Sequence, residues 1–186
     1  MNPLTDPLPT TVEVAGEQVP INTSHRVGIA FQDIVERHIP DSQKVALALH
    51  LYYDPIPTDI RGAVDSLLAF YRCGKPDKET SSVKVYDYAH DYDSIYASFM
   101  RAYGIDLLDP DTNLHWWRFM AMLTGLPEDS PFIKAVSARS VKLGEIKDKH
   151  QREYYAKLKR LHALPSRSEE AMSLDEIHAA KFAVVD

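Results

Sequence analysis

One His-Asp pair is the sharpest arrangement for chemistry in this sequence of 186 residues. His90 and Asp91 are adjacent, and Asp93 follows shortly after them. Helical metal-dependent phosphohydrolases use such a pair with a distant His and Asp, because the metal needs ligands from several helices and open positions for water. The distant ligands would be His50 or His115, together with Asp148. The pair therefore motivates one enzymatic hypothesis, a metal-dependent phosphohydrolase.

A simpler interpretation accounts for the same carboxylates. Asp91 and Asp93 stand at the predicted start of a helix, where carboxylates accept hydrogen bonds from backbone amides and complement the helix dipole. The sequence contains no Gly-rich phosphate loop, no Gly-x-Ser-x-Gly and no His-Glu-x-x-His. Cys73, the only cysteine, could be a nucleophile, but a small packed residue at a helix end is the more frequent situation. We therefore expect no catalytic residues, no metal and no cofactor.

Basic residues concentrate in the C-terminal third of the chain. From Lys134 to Arg160 the net charge is +6, whereas the total is −6, so the remainder carries about −12. An acidic chain without a nucleic-acid-binding motif argues against nucleic acid as a partner. A charged surface is often merely solvated, but this one could also steer an acidic or amphipathic partner.

A helix predicted over Gly144–His162 carries this charge. Its apolar stripe is expected to pack on the domain and consists of Leu143, Ile146, Tyr154 and Leu158. The opposite face holds the candidate partner-binding residues Lys149, Arg152, Lys159 and Arg160. We expect this basic face to remain in water.

The elements that position these residues are mostly helical. Alternating residues in Val12–Val14 and Gln18–Ile21 predict a hairpin. Apolar residues then recur at helical spacing in segments separated by Pro and Gly, most clearly in Tyr92–Tyr103. The segment Leu114–Leu123 is apolar nearly all round, so Trp117 and Phe119 are expected to be structural. We predict a mostly α fold, an irregular helical domain of six to seven helices with a small N-terminal β-hairpin.

Length and composition fit one globular domain. We assign residues 1–164 to a single helical domain with the N-terminal hairpin, and residues 165–186 to a polar, mobile tail. The chain starts without a signal-peptide pattern, and its longest apolar stretch, Val45–Leu51, is far shorter than the ~20 residues of a membrane span. The lone cysteine fits a reducing compartment. These features predict an intracellular protein that does not contact a membrane.

Several aromatic motifs resemble a known family. The block Leu114–Phe119, with its paired Trp residues, is followed by Gly125-Leu126-Pro127 and preceded by Tyr103-Gly104-Ile105-Asp106-Leu107. Together with Leu8–Thr23 and the basic segment Lys147–Leu164, they resemble the gene-product-fifteen family of tailed bacteriophages. The resemblance covers roughly residues 4–165, and the tail does not share it.

The resemblance implies a role in tail morphogenesis. The expected function is that of a tail assembly chaperone, which keeps the helical tape-measure protein soluble while tube subunits polymerise around it. Such a protein would act in the host cytoplasm and be absent from the mature virion, and the family supplies no catalytic residues. Contact with other tail proteins and a homo-oligomer remain open, as do two alternatives: a structural connector or tail-completion protein, and the phosphohydrolase built on His90-Asp91.

Overall fold

The computed structural model describes residues 2–76 and 84–165. Within these residues, a two-stranded hairpin precedes seven α-helices, which confirms the predicted fold class. The strands are β1 (Thr11–Val14) and β2 (Glu17–Pro20). The helices are α1 (His25–Glu36), α2 (Asp41–Tyr52), α3 (Ile60–Tyr71), α4 (Tyr92–Tyr103), α5 (Trp116–Thr124), α6 (Pro131–Ser140) and α7 (Lys149–Leu161). None of these helices has both the length and the apolar character needed to cross a membrane.

The hairpin is closed by a two-residue turn. Ala15 and Gly16 have φ angles of 51° and 83°, as tight antiparallel hairpins require. In the resulting register Val12 lies opposite Val19. The hydroxyl of Ser66 in α3 donates to the backbone carbonyl of Glu13 at 2.5 Å, which ties the hairpin to a helix.

Local capping chemistry sets most helix ends. The Ser24 side chain accepts a hydrogen bond from the amide of Arg26 and starts α1. Asp59 caps α3 by accepting from the Gly62 amide at 3.0 Å. Gly104 follows α4 with a φ of 65°, a left-handed conformation that glycine adopts without a steric penalty.

The chain divides into two compact units. The first is formed by residues 1–82 and 96–127, and the second by residues 83–95 and 128–186. The single domain over residues 1–164 stays a prediction. The predicted tail lies outside the described residues except for Pro165.

Aromatic rings form the core of the first unit. Phe99 and Phe119 stack with ring centroids 5.2 Å apart, and Trp116 stacks on Tyr71 at 5.0 Å. Trp116 and Phe119 are fully buried, and a Cβ atom placed on Gly28 of α1 would lie 2.1 Å from the Trp116 ring. Helix α1 can therefore approach α5 this closely only because position 28 has no side chain.

The second unit has a smaller core around α6. Phe132 and Ala135 are buried, and the ring of Tyr86 packs edge-on against Phe132 with centroids 5.8 Å apart. Helix α7 adds no buried residue to this core. The second unit therefore gains little apolar burial from its last helix.

The prediction for the last helix is wrong in two respects. The helix begins at Lys149 instead of Gly144, because Asp148 accepts from the Gln151 amide at 2.7 Å and caps it there. Tyr154, which was expected to pack inward, is 60% exposed. The other three members of the predicted apolar stripe are half-buried: Leu143, Ile146 and Leu158.

Candidate functional site

Helix α7 presents an apolar and basic surface. Tyr154 is 60% exposed and Leu161 is 74% exposed. They are seven residues apart, so they share one face of the helix, and the exposed Lys157 lies between them on that face. His150, one turn before Tyr154, is also exposed. We call these four residues, His150, Tyr154, Lys157 and Leu161, the outer stripe of α7.

Helical spacing keeps the four predicted partner-binding residues within one arc of about 100°. Lys149 and Arg160 lie at the edge of this arc nearer the outer stripe, and Arg152 and Lys159 lie further round the helix. Lys149, Arg152 and Arg160 are exposed. Lys159 is half-buried, and its ammonium group donates to the backbone carbonyl of Val141 at 2.9 Å. Lys159 thus helps to hold α7 in place.

Local contacts leave the charges on the exposed side accessible. The Lys149 ammonium lies 4.0 Å from the Glu153 carboxylate, and both side chains are more than half exposed. The Arg160 guanidinium makes a long hydrogen bond of 3.4 Å to the carbonyl of Ala156 on its own helix. Exposed pairs of this kind contribute little to folding stability, so the charges are available to a partner.

A buried ion pair fixes the C-terminal end of α7. Arg139 of α6 and Asp91 form two parallel hydrogen bonds of 2.6 and 2.7 Å, and both side chains are less than a tenth exposed. The same guanidinium donates through Nε to the carbonyl of His162 and through Nη1 to the carbonyl of Val85 at 3.1 Å. One side chain therefore joins three segments of the second unit.

The outer stripe is exposed although α7 is anchored to the second unit. The contacts that anchor α7 at Lys159 and His162 are polar, and none of its side chains is buried. An amphipathic helix usually hides its apolar stripe against the fold. Tyr154 and Leu161 of α7 depart from this rule and are exposed.

Asp91 of the His90-Asp91 pair accepts hydrogen bonds from protein groups, whereas the metal-site hypothesis would make it a metal ligand. Each carboxylate oxygen of Asp91 accepts from Arg139, and one of them also accepts from the Asp87 amide at 3.0 Å. The His90 amide donates to Asp87 at 2.7 Å. Burial alone would raise the pKa of Asp87, but hydrogen bonds from Lys84 and His90 outweigh it and lower that pKa.

The other residues proposed as metal ligands are His115, Asp148 and His50, and each has a different structural position. His115 caps α5 by accepting from the Trp117 amide at 3.1 Å, and Asp148 caps α7. His50 is exposed on α2. In the part of the chain that the structure describes, no three His, Cys, Asp or Glu side chains are grouped so that they could hold a metal ion.

Cys73 lies just after α3 in a left-handed conformation, with a φ of 58°. Its side chain is half-buried. Burial raises the pKa of the thiol to about 11, because the charged thiolate loses hydration. The thiol is therefore protonated at neutral pH, where a nucleophilic cysteine needs thiolate.

The protein is mostly helical, and its helix α7 is amphipathic and exposed. Amphipathic helices are elements that can bind other proteins. The chain belongs to the family described as Bacteriophage Gp15 protein, whose model matches residues 4–164. This match confirms the resemblance seen in the aromatic motifs, and it includes the whole of α7. Searches of curated proteins and of solved structures gave no match.

Proposed function

We propose that this bacteriophage protein acts in tail assembly, as a chaperone that binds the tape-measure protein. Family membership supports a phage role, and the outer stripe of α7 is the observation that carries the chaperone role. A chaperone of a long helical protein must cover apolar residues reversibly, which requires apolar side chains of its own that remain exposed. The second unit displays such side chains at Tyr154 and Leu161.

The spacing of the stripe suits a helical partner. Its members recur every three or four residues, so they form a continuous ridge that can lie along the apolar face of another helix. Burying the exposed parts of Tyr154 and Leu161 would contribute about 1–2 kcal/mol each. Contributions of this size favour contacts that can be released when the tail tube closes around the tape measure.

The basic residues in the outer stripe and beside it add a second element to the proposal. Lys149, Lys157 and Arg160 are exposed within three turns of the same helix. Exposed charges mainly increase the rate of encounter with an oppositely charged partner. We propose that they attract acidic positions that flank the apolar face of the tape-measure helix.

Co-expression with the tape-measure protein tests the apolar contact. The variant Tyr154→Ser/Leu161→Ser should leave the melting temperature of the chain nearly unchanged, because neither side chain is buried. It should also leave the tape-measure protein insoluble. Tyr92→Ser is the matched control, since Tyr92 of α4 is likewise 60% exposed. A stripe variant that solubilises the tape measure as well as the control does would contradict the proposal.

A charge reversal tests the electrostatic part. Lys149→Glu/Arg160→Glu should weaken co-purification with the tape-measure protein, and more strongly at low salt, where exposed charges are least screened. Lys159 is unsuitable for this test, because reversing it would also break its bond to Val141. Equal co-purification of wild type and variant at low salt would show that the charges are only solvated.

The proposal is for a non-catalytic protein of the host cytoplasm that is left out of the virion. Mass spectrometry of purified virions tests the location. Stoichiometric amounts there would assign the chain to a structural connector or completion role instead. Phosphatase activity of the purified chain that His90→Ala abolishes would support the enzymatic alternative.

A further inference from the structure

We infer that the outer surface of α7 binds a second copy of this chain, at an acidic turn formed by residues 108–111. The inference does not require a tape-measure protein. It joins two exposed surfaces, one in each compact unit. Both surfaces expose apolar side chains, and their charged residues are opposite in sign. Each surface is exposed in the isolated chain, so a second copy can reach it.

The acidic turn exposes one large apolar side chain between carboxylates. Leu108 is 61% exposed, and Asp109, Pro110 and Asp111 beside it are exposed as well. The turn therefore has the composition that complements α7, on which Tyr154 and Leu161 are exposed next to Lys157. In both places exposed apolar area lies next to charge, which is the usual character of the edge of a protein contact.

Hydrogen bonds fix the shape of this turn. The Asp106 carboxylate accepts from the amides of Leu108 and Asp109, at 2.9 and 3.2 Å. The Arg26 guanidinium of α1 donates to the carbonyls of Leu107 and Asp109, at 3.3 and 2.6 Å. Leu108 is thus presented on a prearranged turn, and little conformational entropy is lost when it is covered.

The charge distribution of the chain favours this occupant. The segment from Lys134 to Arg160 carries a net +6, and the rest of the chain about −12. Two copies therefore attract each other when the α7 surface of one faces the acidic part of the other, and they repel when like surfaces meet. The fold uses part of this charge, at Arg139 and Lys159, whereas the basic residues Lys149, Lys157 and Arg160 are exposed.

The two surfaces differ from each other, so the contact is head-to-tail. Every copy then has one acidic turn and one α7 surface to offer. A head-to-tail contact propagates into a ring if its rotation closes and into an open chain if it does not. The contact is small, and we expect dissociation constants roughly between 1 μM and 1 mM.

Paired charge reversals in the full chain test the inference by sedimentation equilibrium, at salt concentrations of about 0.01 M and about 0.15 M. Asp111→Lys and Lys157→Glu should each weaken self-association roughly threefold to tenfold at low salt. Both reversals in one chain should restore it, because the attraction is regained with the signs exchanged. Among the residues that the structure describes, the Asp111 and Lys157 side chains have no hydrogen bond or ion pair that the reversal would break.

Mixing the two single variants gives an independent readout. The Asp111→Lys chain keeps its α7 surface and the Lys157→Glu chain keeps its acidic turn, so they attract each other there. The two reversed surfaces also carry opposite charges, so the mixture should associate more strongly than either variant alone, with the two chains alternating. Asp65→Lys and Lys147→Glu are controls that change the net charge equally at exposed positions elsewhere.

Three outcomes would overturn the inference. These are a wild-type chain that stays monomeric up to millimolar concentration, a double reversal that fails to restore association, and controls that weaken it as much as the test variants do. Because the experiment uses the purified chain alone, its result is independent of whether the tape-measure protein is the physiological partner.

Discussion

Removing the charge of Asp91 should unfold the second unit selectively. In Asp91→Asn the Arg139 guanidinium loses its counter-charge while both positions remain less than a tenth exposed. Breaking a buried ion pair by removing one partner costs about 3–5 kcal/mol, because the remaining charge stays desolvated. Arg139→Met should cost at least as much, since the carbonyls of Val85 and His162 also lose their donor, at about 1 kcal/mol each.

Amide hydrogen exchange measures this effect unit by unit. A loss of 3–5 kcal/mol corresponds to roughly 100- to 4,000-fold faster exchange in the most protected amides of α6 and α7. Asp33→Asn is the matched control, because its ion pair with Arg37 has both side chains more than half exposed and should contribute less than about 1 kcal/mol. If Asp91→Asn and Asp33→Asn changed exchange in α6 and α7 equally, the ion pair would not be what holds this unit together.

Three further predictions concern the first unit. Gly28→Ala should destabilise the chain by about 1–3 kcal/mol in urea unfolding, because the new methyl group would overlap the Trp116 ring. The control Gly144→Ala should change the stability little, because its methyl group meets open space. Equal unfolding midpoints for the two variants would refute this prediction. Phe119→Ala should cost about 3–5 kcal/mol in the same assay, since the ring is fully buried, and an unchanged midpoint would mean that α5 is not part of the core. Burial raises the pKa of the Cys73 thiol from 9.0 to about 11. Its alkylation at pH 8 should therefore be roughly 100 times slower than that of an unperturbed thiol, and the rate should keep rising until about pH 11. A rate that levels off near pH 9 would contradict the raised pKa.

Local sequence signals predicted most of the helices correctly. The Ser24 cap, the periodic segment Tyr92–Tyr103 and the glycine at position 104 act within a few residues, so a single sequence contains the information. The start of α7 was also encoded locally, because Asp148 followed three residues later by Gln151 is a capping pattern. The prediction missed it by extending the helical periodicity back to Gly144.

The candidate surface was less predictable, because contacts distant in sequence decide it. The Lys159 ammonium donates to the backbone carbonyl of Val141 and is therefore less available to a partner. The pattern of side chains in a sequence does not show which backbone carbonyl will accept such a bond. Tyr154 is exposed, and the end of its helix is bound by Arg139, whose partner Asp91 is 48 residues away. Hydropathy predicts that a tyrosine in an apolar stripe is covered, and this helix is an exception. Lys157 falls within the arc of the predicted apolar stripe, so it was not among the predicted partner-binding residues.

The separation in sequence between Asp91 and Arg139 also sets an order of events during synthesis. The residues of the second unit come from both sides of a 32-residue segment that belongs to the first unit. A ribosome adding about 5–20 residues per second needs roughly 2–10 s to pass from Asp91 to Arg139, which lies 48 residues further on. Asp91 is therefore made several seconds before the guanidinium that will neutralise it. The first unit can therefore complete its aromatic core while the second is still waiting for α6, and the exposed surface of α7 is the last part of the described chain to be made.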